Sequence, residues 1–142
     1  MKVLVDTNIL IDVIAQHAPF FPASADVWEL AETKRIDGIV AALSFTTVHY
    51  LIGKQFGHAM ADSAVKSLFR VFAVAPVDSV VIIDSIATGR RDFEDAVQAV
   101  AALRVGSTHV VTRDPKGFAR TGLIVVAPAQ LVAMFPSPPA QP

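Results

Sequence analysis

Five short apolar runs, with helix-like stretches between them, limit what this chain can fold into. Lys2–Val5, Ile39–Leu43, Phe72–Ala75, His109–Thr112 and Leu123–Val126 are β-rich and largely apolar on successive residues, without the in–out alternation of a half-exposed strand. A strand apolar on both sides must be covered on both sides, which is characteristic of a parallel sheet. Strands that alternate with helices in sequence predict an α/β domain whose helices cover both faces of that sheet.

The intervening segments carry the helix signals. Ile9–Ala15 reads as the first helix. Pro19 and Pro22 break the chain, and Ser24 is placed as the cap of a helix reaching about Thr33, with Val27, Leu30 and Ala31 on its apolar side. Asp37-Gly38 marks a turn. Ser44 or Thr46 is expected to start a helix ending near Gly57, followed by another from Ala59 to about Val71. Asp78–Thr88 reads as helical and stops at Gly89. Phe93–Val105 has the clearest pattern, with Phe93, Ala96, Val97, Val100 and Leu103 as one apolar stripe and Gly106 as its terminator. Pro128–Phe135 is the last expected helix. Residues 136–142 form a Pro-rich tail expected to be disordered, outside a single domain spanning 1–135.

Composition narrows the class. The chain of 142 residues is 53% hydrophobic, yet no run approaches the ~18–20 apolar residues of a membrane span. The first apolar run meets Asp6 too early for a signal-peptide core. There is no cysteine, which excludes disulfides, thiolate metal sites and Cys nucleophiles. These features are compatible with a cytoplasmic protein. The formal net charge of −1 supplies no broad basic field, so a nucleic-acid partner would be held locally, by a metal ion and a few of Lys34, Arg35, Arg90, Arg91, Arg104, Arg113, Lys116 and Arg120.

The acids then take on meaning. Asp6 and Asp114 each follow a strand run, so in a parallel sheet both sit at carboxyl ends, where such folds bind ligands. Asp92 and Asp95, three residues apart at a helix start, are expected on one side of it. Clustered carboxylates repel unless a cation compensates them. An all-oxygen set suits Mg²⁺ or Mn²⁺, and with them phosphodiester hydrolysis. Each acid also has a plainer reading. Asp6 can cap the next helix, Asp92 and Asp95 can be an N-cap and a first-turn acid, and Asp114-Pro115 can be a turn.

Together the motifs resemble those of PIN-domain ribonucleases. Val3-Leu4-Val5-Asp6-Thr7-Asn8-Ile9-Leu10 is similar to that family's opening motif, Asp95-Ala96-Val97-Gln98-Ala99 to its central acidic helix, and Val110-Val111-Thr112-Arg113-Asp114 with Phe118 to its closing motif. The resemblance spans Lys2 to about Phe135, and the length is that of VapC toxins from toxin–antitoxin pairs. It implies a three-layer α/β/α sandwich with a five-stranded parallel sheet. The implied activity is Mg²⁺- or Mn²⁺-dependent RNA cleavage, with an antitoxin partner and often a homodimer. By the same resemblance Asp6, Asp95 and Asp114 are metal-site residues, and Thr7, Asn8 and Thr112 support them by hydrogen bonding.

One departure stands out. The family usually supplies a Glu from the helix after the second strand, where this chain has Ser44-Phe45-Thr46-Thr47-Val48-His49-Tyr50 and His49 falls at the Glu position. Asp92 is the expected substitute. Glu94, about 100° round the helix from Asp95, is ranked below it. Arg113 and His49 are weaker candidates for holding substrate, whereas His17, His58 and His109 are assigned no role for want of acidic neighbours at metal-ligand spacing. Trp28 and the Phe residues are read as core. Two rival functions are a PIN-like module with a weakened acid set that only binds RNA or a partner, and an aspartate-based phosphatase. The phosphatase lacks support, because Asn8 stands where a second Asp is wanted and no late-strand Lys of a receiver domain is present.

Overall fold

Five strands, β1 (Lys2–Val5), β2 (Asp37–Ala41), β3 (Ala73–Ala75), β4 (His109–Val111) and β5 (Ile124–Val126), form one sheet in the order β3-β2-β1-β4-β5. The structure is a computed structural model that describes residues 1–141; Pro142, the end of the expected tail, lies outside them. Every pairing is parallel, with Leu4 opposite Ile39 on one side and Val110 on the other. Among the described residues eight helices connect and cover the sheet: α1 (Thr7–Ile14), α2 (Phe21–Glu32), α3 (Ala42–Phe56), α4 (His58–Val71), α5 (Ser79–Ala87), α6 (Phe93–Arg104), α7 (Pro115–Phe118) and α8 (Pro128–Ala133). Among the described residues no helix is long and apolar enough to cross a membrane.

Neighbouring strand residues point to opposite faces, and both faces are buried, as the unbroken apolar runs require. Val3, Val5, Val40 and Val111 pack with Ile9, Leu10, Val27, Leu30, Val48, Ile52, Leu68 and Leu131 from α1, α2, α3, α4 and α8. On the other face Leu4 and Val110 meet Ala99, Ala102 and Phe118, and Ile39 and Ala41 meet Val81, Val97 and Ala101. The three-layer sandwich expected from the sequence is therefore the observed fold.

Four local expectations are corrected. α2 starts at Phe21, ahead of Ser24, with Pro22 in its first turn, where its missing N–H has no intrahelical partner to lose. Ser24 is fully buried inside the helix and its hydroxyl donates to Asp12 Oδ2 at 3.3 Å. α3 starts at Ala42 directly from β2, so neither Ser44 nor Thr46 begins it. In α6 the buried face is Ala96, Val97, Gln98, Ala99, Ala101 and Ala102, while Phe93 and Leu103, both counted in the apolar stripe, are exposed. Small side chains let α6 lie close to the sheet, so its core-facing side is the alanine side. The short helix α7 was not foreseen.

The chain runs β1→β2→β3 outward, then returns to place β4 on the other side of β1. The carboxyl ends of β1 and β4 thus flank the switch point of strand order, where α/β sheets bind ligands. Asp6 N–H donates to Val111 O across it at 3.1 Å.

Candidate active site

Asp6 closes β1 and stands at the N-cap position of α1, but its carboxylate makes no capping bond. Instead Oδ2 accepts from Thr112 Oγ1 at 2.7 Å and Oδ1 accepts from Gln98 Nε2 at 3.2 Å. Asp6 is only 3% exposed. Burial pushes its pKa up, the Thr112 and Gln98 hydrogen bonds pull it down, and burial wins.

A buried polar chain extends from this carboxylate in both directions. Gln98 Oε1 accepts from Thr7 Oγ1 at 3.4 Å, and the Thr7 and Ser44 hydroxyls are 2.7 Å apart. On the other side the Thr112 hydroxyl accepts from Asp114 N–H at 2.9 Å, fixing the turn that carries Asp114. Residues of α1, α3, α6 and the ends of β1 and β4 are thereby tied to one carboxylate. Thr112 hydrogen-bonds the Asp6 carboxylate directly, whereas Thr7 reaches it through Gln98. Asn8 is exposed beside them.

The start of α6 brings further acids to the same edge. Asp92 caps the helix, its Oδ1 accepting from Asp95 N–H at 3.1 Å, so the capping reading of Asp92 describes its geometry. The pKa of Asp95 is raised to about 7, first by burial and then by the charges of Asp6, Asp92, Asp114 and Glu94. Glu94 is raised too, by desolvation and by Asp6 and Asp92, against the pull of the Thr7 hydroxyl. The structure therefore brings Asp6, Asp92, Asp95 and Asp114 together and adds Glu94, which the sequence ranked lower. Gly117, in α7, packs against this group so closely that a Cβ there would collide with the Asp95 carboxylate.

A cleft of about 450 Å³ opens over the cluster, lined by Asp92, Asp95, Asp114 and Gly117 and also by Arg90, Arg91 and Lys116. Arg90 is anchored through Nη2, which donates to Gly117 O at 3.0 Å. Cations at the rim of an acidic floor suit a phosphate group bound against a metal ion. The donor set fits a hard divalent cation: every group is a carboxylate, and a cation would offset both the burial that chiefly raises the Asp95 pKa and the neighbouring charges that add to it.

Two other candidates point elsewhere. Arg113 makes a bidentate pair with the buried Asp12, Nε to Oδ2 at 2.7 Å and Nη2 to Oδ1 at 3.2 Å, with its guanidinium 3.9 Å from the centre of the Phe20 ring. His49 Nε2 lies 2.9 Å from Asp62 Oδ1 on α4. Neither is part of the acidic group. Gln98, Ser44 and Asp12 were missed by the sequence reading. Gln98 lies one helical turn after Asp95, a legible signal, whereas Ser44 and Asp12 acquire their roles only through tertiary contacts.

The sequence profile of the PIN domain matches residues 2–116. The chain belongs to the PIN-domain family. A comparison with curated protein sequences returns no match. Among solved structures this PIN domain is similar to a chain of VapBC2 from Rickettsia felis bound to a promoter DNA fragment, with TM-score 0.67 and 18% identity over 89% of this chain and 98% of that one. It is also similar to a chain of a toxin–antitoxin complex from Klebsiella pneumoniae, with TM-score 0.64 and 20% identity over 89% and 97%. A third likeness is to Mycobacterium tuberculosis VapC20, described as a sarcin–ricin loop cleaving toxin, with TM-score 0.67 and 17% identity over 82% and 93%. At these identities the likeness establishes the fold.

Proposed function

We propose that this PIN domain is a divalent-metal-dependent endoribonuclease and the toxin of a type II toxin–antitoxin pair, acting in the cytoplasm. The observation that carries this reading is the gathering of Asp92, Asp95 and Asp114 in one cleft beneath a rim of Arg90, Arg91 and Lys116, with Asp6 and Glu94 close enough for their charges to act on Asp95. Asp6, Asp95 and Asp114, with Asp92 or Glu94 in place of the acid absent from α3, would hold Mg²⁺ or Mn²⁺. A bound cation would polarise the scissile phosphate and activate water for its hydrolysis. The protein's own contribution is positional. Gln98 and Thr112 hold the Asp6 carboxylate, Thr112 sets the turn of Asp114, and the anchored Arg90 with Arg91 and Lys116 receives the phosphate.

The toxin assignment rests on the neighbours, one of them a toxin–antitoxin complex and one described as a sarcin–ricin loop cleaving toxin. Exposed Tyr50, Phe69, Ile83 and Ile86 are apolar side chains that an antitoxin or a second copy would cover. The test is RNA cleavage by purified protein with Mn²⁺, together with growth arrest on expression. Asp6→Asn and Asp95→Asn are each expected to abolish both. Metal-dependent cleavage retained in both variants would remove the site, and an inactive but RNA-binding wild type would favour a binding module.

A further inference from the structure

A second constellation of potential ligands lies on the α3–α4 hairpin, apart from the acidic group. His49 Nε2 is 2.9 Å from Asp62 Oδ1 and His58 Nε2 is 3.2 Å from Asp62 Oδ2. The two imidazoles meet edge to face, with centroids 5.6 Å apart. Among the described residues these three form a group in which one ligand atom from each side chain lies within 4.8 Å of the others. The sequence reading dismissed His58 for want of an acidic neighbour. The correction is that Asp62, four residues on, shares its face of α4, the spacing by which helices present paired metal ligands.

We propose that His49, His58 and Asp62 form a site for a borderline divalent transition ion of the Zn²⁺ class, which pins α3 to α4. Around a four-coordinate Zn²⁺, with bonds of about 2.0–2.1 Å to nitrogen, neighbouring ligand atoms stand about 3.4 Å apart. The observed separations of 2.9 and 3.2 Å run to the two different oxygens of Asp62, and one ligand atom from each of the three side chains lies within 4.8 Å of the others, so rotation of these partly exposed side chains is what brings them to that spacing. Two imidazoles with one carboxylate select Zn²⁺, Co²⁺ or Ni²⁺ over Mg²⁺, whereas the acidic site, all oxygen, has the opposite preference. The frame is set beforehand. Gly57 turns the chain between the helices at φ 95°, a conformation that favours glycine, and the first residue of α4 is His58 itself. His58 is open to solvent and His49 and Asp62 are partly exposed, which leaves a fourth position for water.

The experiment titrates Zn²⁺ into chelator-treated, full-length Asp95→Asn protein by calorimetry, in excess Mg²⁺, so that the acidic site does not compete. Visible absorption of Co²⁺ reports ligand geometry. One Zn²⁺ per chain is expected, with a Co²⁺ spectrum of four-coordinate form and a Tm raised by the metal. Adding His58→Asn or Asp62→Asn should weaken Zn²⁺ affinity at least about 100-fold, the upper end of what loss of a mere supporting partner costs. Circular dichroism should stay unchanged, since both side chains are at the surface. In the otherwise wild-type chain His58→Asn should leave Mn²⁺-dependent RNA cleavage intact. Absence of Zn²⁺ binding, or binding that survives both substitutions, would overturn the proposal and leave the triad as a surface ion-pair staple.

Discussion

A single hydroxyl, that of Thr112, donates to Asp6 and accepts from the Asp114 N–H, so two of the proposed metal ligands depend on it. Thr112→Val keeps the shape and removes both bonds. Calorimetry should show Mn²⁺ affinity lowered by about 10–100-fold, the range typical of lost partners that orient metal ligands. Unaltered affinity would reduce Thr112 to packing. Gly117 makes the complementary case. It has no positive-φ requirement, so a side chain there acts through contact alone, and the atom that it meets is the Asp95 carboxylate. Gly117→Val should therefore displace Asp95 and depress Mn²⁺ binding at least as far as Thr112→Val, with little change in the denaturant midpoint. A large loss of stability with normal metal affinity would contradict this.

Two elements, α1 and the turn after β4, are clamped by the Asp12–Arg113 pair, with Asp12 buried and Ser24 of α2 donating to it. Removing Arg113 leaves the buried Asp12 carboxylate with only the Ser24 hydroxyl and His17 Nδ1, 3.5 Å away, the more costly half of such a pair to strand. Arg113→Ala should destabilise by about 3 kcal/mol in urea unfolding, and by more than Asp12→Ala, which strands a partly exposed guanidinium. If Arg113 served chiefly to hold substrate, its loss would lower cleavage and leave the urea midpoint in place. Such tertiary pairs mark where the sequence stops being legible. The strands were readable because burial on both faces writes apolar runs directly into the chain. The convergence of Asp6, Asp95 and Asp114 was readable because a parallel sheet sends strand ends and helix starts to one edge. Ser24, Ser44 and Asp12 were not, since a buried polar residue takes its meaning from a partner distant in sequence. The face of α6 was misjudged because alanines, weak as hydrophobic signals, mark the close approach to the sheet, whereas the larger Phe93 and Leu103 remain exposed.

At the scale of the whole molecule, the acidic cluster couples folding to protons and to metal. Asp95 titrates at about 7 in the folded chain against an ordinary 3.8, and Asp6 and Glu94 are displaced in the same direction. A carboxyl whose folded pKa is raised binds its proton more tightly in the native state. Its stabilisation is complete below the ordinary value and is lost as pH rises through the folded one. In chelator, the urea midpoint should therefore fall between about pH 4 and pH 7, with a near-constant m-value. Asp62 is shifted the opposite way, so its contribution is lost only as pH falls through its lowered value, below this window. Asp95→Asn should flatten the decline, because it removes a strongly raised group from the cluster. A divalent cation that binds the ionised cluster should reverse the effect, and Mn²⁺ at 100 times its Kd adds about 2.7 kcal/mol to the native state near pH 7.5. A midpoint that stays flat in chelator from pH 4 to 7, or a decline unchanged in Asp95→Asn, would mean that neither burial nor the neighbouring charges raise Asp95 in the folded chain. The compensation by a cation that the proposed nuclease site requires would then lose its physical basis.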